Sequence, residues 1–276
     1  MAATQAKQPA AAEHADRILV ALDASPQSVA ALRAAAELAA LLEAELEGLF
    51  VEDINLLHLC GLPFGREVGS YTASVRQLND RAMERNLRAL AIVIREAMER
   101  EAAQLPVRWT FQVRRGAVVA ELLAASQSAA MLSLGRAGRR RRQTLGSVAE
   151  SVVRQCSRPV LILGEEGGLT RPLSVLYTGS EAADRALRLA IDLEVRNPGG
   201  LRVWVWDDPA AGPPAERLQA HANARLTEVG LQTVAAVIGE RELPDLLDKR
   251  NKGTLILPGE HSALLSRWVG PTILVP

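Results

Sequence analysis

The sequence predicts an α/β protein: two tandem, doubly wound, mainly parallel-sheet units. Three observations carry that prediction. Short apolar runs alternate with longer stretches of helical spacing along the chain. Strands separated by helices imply parallel pairing, with helices covering both sheet faces. The second half repeats the order of the first in shortened form.

The elements follow in order. Ile18–Leu22 is a buried-type apolar run. Residues 25–42 carry apolar positions at Val29, Leu32, Ala36, Ala39 and Ala40, with Ser25 as N-cap and Pro26 at the first helical position. Residues 45–50 read as a second strand. Val75 to Arg100 reads as one long amphipathic helix through Leu78, Met83, Leu87, Leu90, Val93, Ile94 and Ala97. Val107–Val113 alternates as a third strand, and 118–126 forms the next helix. Met131–Leu134, a helix from Ser147, and Val160–Leu163 complete the first half.

In the second half, Ser174–Thr178 matches the first strand, so Thr178 stands where Asp23 stood. Val234–Ile238, Leu243–Lys249 and Thr254–Leu257 follow the third strand, third helix and fourth strand. Gly259 aligns with Gly135, and 270–275 repeats 158–163. The expected organisation is a disordered arm over 1–15, a unit over 16–164, a Gly- and charge-rich linker over 165–172, and a degenerate unit over 173–276.

Composition sets bounds. The chain has 276 residues, 48% of them hydrophobic but only 3% aromatic, so its cores must be aliphatic. Lysine plus arginine and aspartate plus glutamate number 32 each, which gives no electrostatic case for nucleic acid or an anionic membrane. Two cysteines, Cys60 and Cys156, are too few for a disulfide framework, and a reducing cytoplasm is the expected setting. No run reaches the roughly 20 apolar residues of a membrane span.

The chemistry concentrates in residues 132–147. An apolar run ends at Gly135; a loop with Gly138 and four arginines, Arg139–Arg142, follows; then Gly146-Ser147 opens a helical pattern. Glycine admits close backbone approach to an anion, a helix N-terminus offers unpaired N–H groups, and arginine forks suit phosphate. The arginine run reads equally as a solvated loop. Walker A and first-strand dinucleotide patterns are absent. No Gly-x-Ser-x-Gly elbow occurs, and His58 with Cys60 lacks the second pair that a zinc site needs.

These residues resemble the nucleotide motif of the universal stress protein family, G-x2-G-x9-G-[S/T], with seven rather than nine residues between Gly138 and Gly146. Ile18–Asp23 with Ser25 and Ser28, Gly146–Arg154, and Arg158–Leu163 are similar to that family's first strand, last helix and final strand. The resemblance implies an adenine nucleotide alpha hydrolase-like fold and an ATP or related adenine-nucleotide site. It implies Asp23 on ribose or adenine, Ala21 and Val51 around the base, and Leu134, Gly135, Gly138, Gly146, Ser147 and Val148 around the phosphates. Packing roles compete at Ala21 and Val51, a turn role at Asp23, and a capping role at Ser147. The resemblance further implies a regulatory stress role with at most slow ATP hydrolysis, and an unknown protein partner. It also implies a pseudo-dimer through the final strands of the two halves, with a homodimer open. The alternative is a protein-interaction module on the same fold that binds no nucleotide. The second half lacks the second glycine and the Gly-Ser helix start, so it is expected to have lost its ligand site.

Overall fold

The computed structural model describes residues 16–60, 66–68, 75–77, 80–136, 145–164, 168–206, 213–247 and 253–276. The first half contains β1 (Arg17–Leu22), α1 (Pro26–Leu42), β2 (Glu45–Asp53), α2 (Ile54–Cys60), β3 (Arg66–Val68), β4 (Val75–Gln77), α3 (Asp80–Ala102), β5 (Trp109–Gly116), α4 (Val118–Ser126), β6 (Met131–Gly135), α5 (Ser147–Gln155) and β7 (Val160–Leu163). The second contains β8 (Leu173–Tyr177), α6 (Glu181–Arg196), β9 (Leu201–Trp206), α7 (Ala215–Glu228), β10 (Ala236–Ile238), α8 (Leu243–Leu246), β11 (Thr254–Pro258), a 3-10 helix (Gly259–Ser266) and β12 (Thr272–Val275).

The two halves share one ten-stranded sheet, ordered β10-β9-β8-β11-β12-β7-β6-β1-β2-β5. Within each half the strands run parallel. The seam is antiparallel: Thr272 pairs with Ile162, Ile273 with Leu161 and Leu274 with Val160. This is the pairing of final strands expected for a pseudo-dimer. Its physical basis is plain. Both strands are apolar and buried on both faces, so neither can remain an open sheet edge.

The core crosses the seam on both faces. One cluster joins Leu161 and Leu163 to Ile273 and Val275 beneath α1 and α6. The other joins Val160 and Ile162 to Leu274, Leu265 and Trp268. The helices obey local rules. Ser25 accepts a hydrogen bond from the Ser28 N–H, with Pro26 at the first position of α1, and Ser180 caps α6 through the Ala183 N–H. Small residues let α1 lie close to the sheet: Ala31, Ala34, Ala35, Ala36 and Ala39 are all fully buried.

Several boundaries differ from expectation. The expected helix over 75–100 begins only at Asp80. Val75–Gln77 instead pairs antiparallel with Arg66–Val68 as a separate two-stranded sheet. The partner strand lies across a connection, so helical periodicity could not reveal it. The 45–50 strand continues to Asp53, and a short helix fills part of the segment that the second half lacks. The 234–238 strand shortens to Ala236–Ile238, and the 243–249 helix to Leu243–Leu246, with 248–250 outside the described residues.

Candidate functional site

The site residues collect because β1 lies between β2 and β6. From β1 the chain continues on one side to β2 and β5, and on the other returns as β6 and β7. That reversal is a topological switch point, and ligands of open parallel sheets sit outside the C-terminal strand ends there. Direct pairing of Ile18 with Met131 and Leu22 with Phe50 brings the three strand ends side by side.

Ala21, Val51 and Leu134 share one face. Ala21 and Val51 are half-buried against the cluster that contains Leu19, Leu49 and Leu134, together with Val118, Val119 and Leu145. Those last three residues carry no motif, and sequence reasoning did not single them out. Asp23 lies one residue past β1 and is exposed. Its Oδ1 accepts the Ser25 N–H at 2.9 Å, and its own N–H donates to Ser28 Oγ at 3.4 Å. Asp23 is therefore a turn residue that leaves its second carboxylate oxygen unused in this turn. Ala24 takes a left-handed φ of 59°, which completes the sharp entry into α1.

Gly135 closes β6, and the reason it is glycine is steric. A Cβ there would stand 2.9 Å from Gln27 Cβ and 3.0 Å from the Gln27 backbone carbon. A valine there would meet α1, which already occupies that space. Gly138 and Arg139–Arg142 lie outside the described residues.

The chain returns at Leu145. Gly146 is the N-cap of α5 and, having no side chain, supplies no side-chain cap, which leaves the N–H groups of the first turn without one from their own cap residue. Ser147 and Val148, both exposed, form that turn. The Arg136 carbonyl accepts the Gly146 N–H at 3.1 Å and the Arg136 N–H donates to Leu163 at 2.6 Å, which fixes α5 beside the end of β6. The structure thus brings Ala21, Asp23, Val51, Leu134 and Gly135 to one sheet end, with Gly146, Ser147 and Val148 tied beside them.

The corresponding position of the second half is built differently. Tyr177 pairs with Val205 as Leu22 pairs with Phe50, so Trp206 stands where Val51 stands. Its ring meets the His261 ring at 4.9 Å between centroids, tilted by 59°. Ser180 Oγ, the cap of α6, donates to the Glu260 carboxylate, and Thr178 replaces Asp23. The glycine loop and last helix are replaced by the 3-10 helix directly after β11. A bulky indole, an imidazole and a side-chain hydrogen bond thus occupy the strand-end region where the first half has small side chains and an uncapped helix.

Residues 14–164 match the model of the universal stress protein family. The chain belongs to that family. A universal stress protein of Mycolicibacterium smegmatis is 29% identical over 274 residues, covering 88% of this chain and 86% of its own. A universal stress protein of Archaeoglobus fulgidus superposes over 94% of this chain and 97% of its own, with a TM-score of 0.72 at 18% identity. That likeness extends the family fold across both halves. A universal stress protein solved in complex with cAMP aligns with 55% of this chain and 99% of its own, at 20% identity and a TM-score of 0.38. Among the described residues, no helix is long and apolar enough to cross a membrane, and no cluster of three metal-ligating side chains occurs. Cys156 is a buried free thiol.

Proposed function

We propose that the first half binds an adenine nucleotide, ATP or a relative, and that its occupancy serves a regulatory stress-response role. The second half contributes the other side of the sheet and a surface for a protein partner. The observation that supports this reading is the asymmetry between the two strand-end regions. In the first half, Asp23 is exposed, Ala21 and Val51 offer small apolar walls, and α5 begins without a side-chain cap. In the second half, Trp206, His261 and the Ser180–Glu260 hydrogen bond lie at the same place.

The chemistry follows from the parts. Ala21 and Val51 flank the base. The free oxygen of Asp23 accepts from a ribose hydroxyl. The first-turn amides of α5 and Ser147 Oγ donate to phosphate, aided by the positive end of the helix dipole. The reading assigns binding and no hydrolytic residue.

Calorimetric titration of the full chain with ATP tests it, with Asp23→Ala and Ser147→Ala set against Thr178→Ala. The first two variants are expected to weaken binding by roughly tenfold each, the value of one lost hydrogen bond to a charged group. Thr178→Ala is expected to bind as the parent does. Loss on Thr178→Ala with none on the other two would reject the assignment to the first half.

A further inference from the structure

Among the described residues, Arg136 is the only arginine or lysine in the buried class, with 4% of its surface exposed. It follows Gly135 directly, and its backbone holds the N-cap of α5. Its side chain leaves the first half. Nη1 donates to the Leu265 carbonyl at 3.1 Å, in the 3-10 helix of the second half.

The other donors are unmet. Nε and Nη2 are buried and find no hydrogen-bond partner among the described residues. No carboxylate of the described residues forms an ion pair with Arg136. Burial holds the guanidinium pKa below its ordinary value, so the protein destabilises the charge it keeps there. A buried charge with one neutral acceptor is worse for stability than an apolar side chain of similar size. Stability alone does not explain this arginine.

The geometry of the donors left unmet among the described residues does. Nε and Nη2 lie on one edge of the guanidinium, the edge that grips two oxygens of a single phosphate or carboxylate. We propose that Arg136 is an anion receptor whose Nε–Nη2 edge takes a phosphate group of the nucleotide bound at the first half. Its Nη1 keeps hold of Leu265, so occupancy in the first half orders the 3-10 helix of the second. The identity of the anion as a nucleotide phosphate rests on the reading in the preceding subsection. It is favoured over an isolated carboxylate because the Arg136 backbone is bonded to the uncapped, electropositive start of α5.

The test uses the full chain, with Arg136→Met and Arg136→Lys, titrated with ATP, adenosine and pyrophosphate. Amide hydrogen exchange is followed over Leu264–Trp268. Arg136→Met is expected to bind ATP at least about tenfold more weakly than the parent while adenosine binding is unchanged. Its melting temperature without ligand is expected to equal or exceed that of the parent. Arg136→Lys, which retains the charge but not the fork, is expected to fall between the two. ATP is expected to slow exchange over Leu264–Trp268 in the parent and not in Arg136→Met. Parental ATP affinity in both variants overturns the proposal. So does a lowered melting temperature with ATP and adenosine weakened alike, which marks a structural role. If the parent binds no ATP, the nucleotide reading fails by itself and pyrophosphate decides. Stabilisation by pyrophosphate in the parent but not in Arg136→Met upholds Arg136 as a receptor; an equal response in both overturns it.

Discussion

Truncating Leu161 to alanine is expected to destabilise both halves together. Leu161 lies in β7, is fully buried, and pairs with Ile273 across the seam. Removing its isobutyl group from a packed core costs about 3 kcal/mol, within the 2–5 kcal/mol range for such truncations. For a chain of this size unfolding as one unit, that lowers the melting temperature by roughly 5 °C. The assay is urea unfolding followed by tryptophan fluorescence. Trp109 reports from β5 in the first half; Trp204, Trp206 and Trp268 report from the second. A Trp109→Phe background isolates the second-half signal. One sheet and two seam-crossing cores require both signals to move to the same lower midpoint, although the truncation lies in the first half. The double variant with Ile273→Ala should depart from additivity by about 0.5–3 kcal/mol, as expected of contacting residues. A second-half midpoint that stays at the parental value would refute the idea that the seam makes one cooperative unit.

Gly135→Val is expected to lower stability by about 1–3 kcal/mol, because the added Cβ and branches meet Gln27 at the start of α1; thermal unfolding without ligand shows it. Ser25→Ala removes the cap of α1 and should cost about 1 kcal/mol in urea. Tyr177 is buried and donates to Asp184 at 2.8 Å, and burial first, then the Asp184 carboxylate, raises its phenol well above its ordinary value of about 10. The unfolded chain therefore releases this proton first as pH rises, the native state binds more protons, and stability falls above about pH 10. Tyr177→Phe should flatten that alkaline decline in urea midpoints measured from pH 8 to 11.

Much of this architecture was legible because its causes are local. Apolar runs at Ile18–Leu22 and Val160–Leu163, and the Ser25-Pro26 start of α1, carry their structure in adjacent residues. The duplicated final strands even indicated the seam, since two apolar strands that each close a half must find a partner. What escaped was non-local. Val75–Gln77 is a strand only because Arg66–Val68 lies against it. Gly135 was read as a phosphate residue, yet its immediate constraint is Gln27, more than one hundred residues earlier in the chain. Nothing in the residues around Arg136 marks it as buried. Its burial depends on Leu265 in the other half, and no spacing encodes that contact. The displacement of Val51 by Trp206 was visible only once strand register aligned the halves.

The stoichiometry of ATP binding to the full chain, measured by calorimetry, tests the central claim most directly. The proposed reading of the two strand-end regions predicts one nucleotide per chain. Two equivalents bound per chain, or no saturable binding at all, would contradict it.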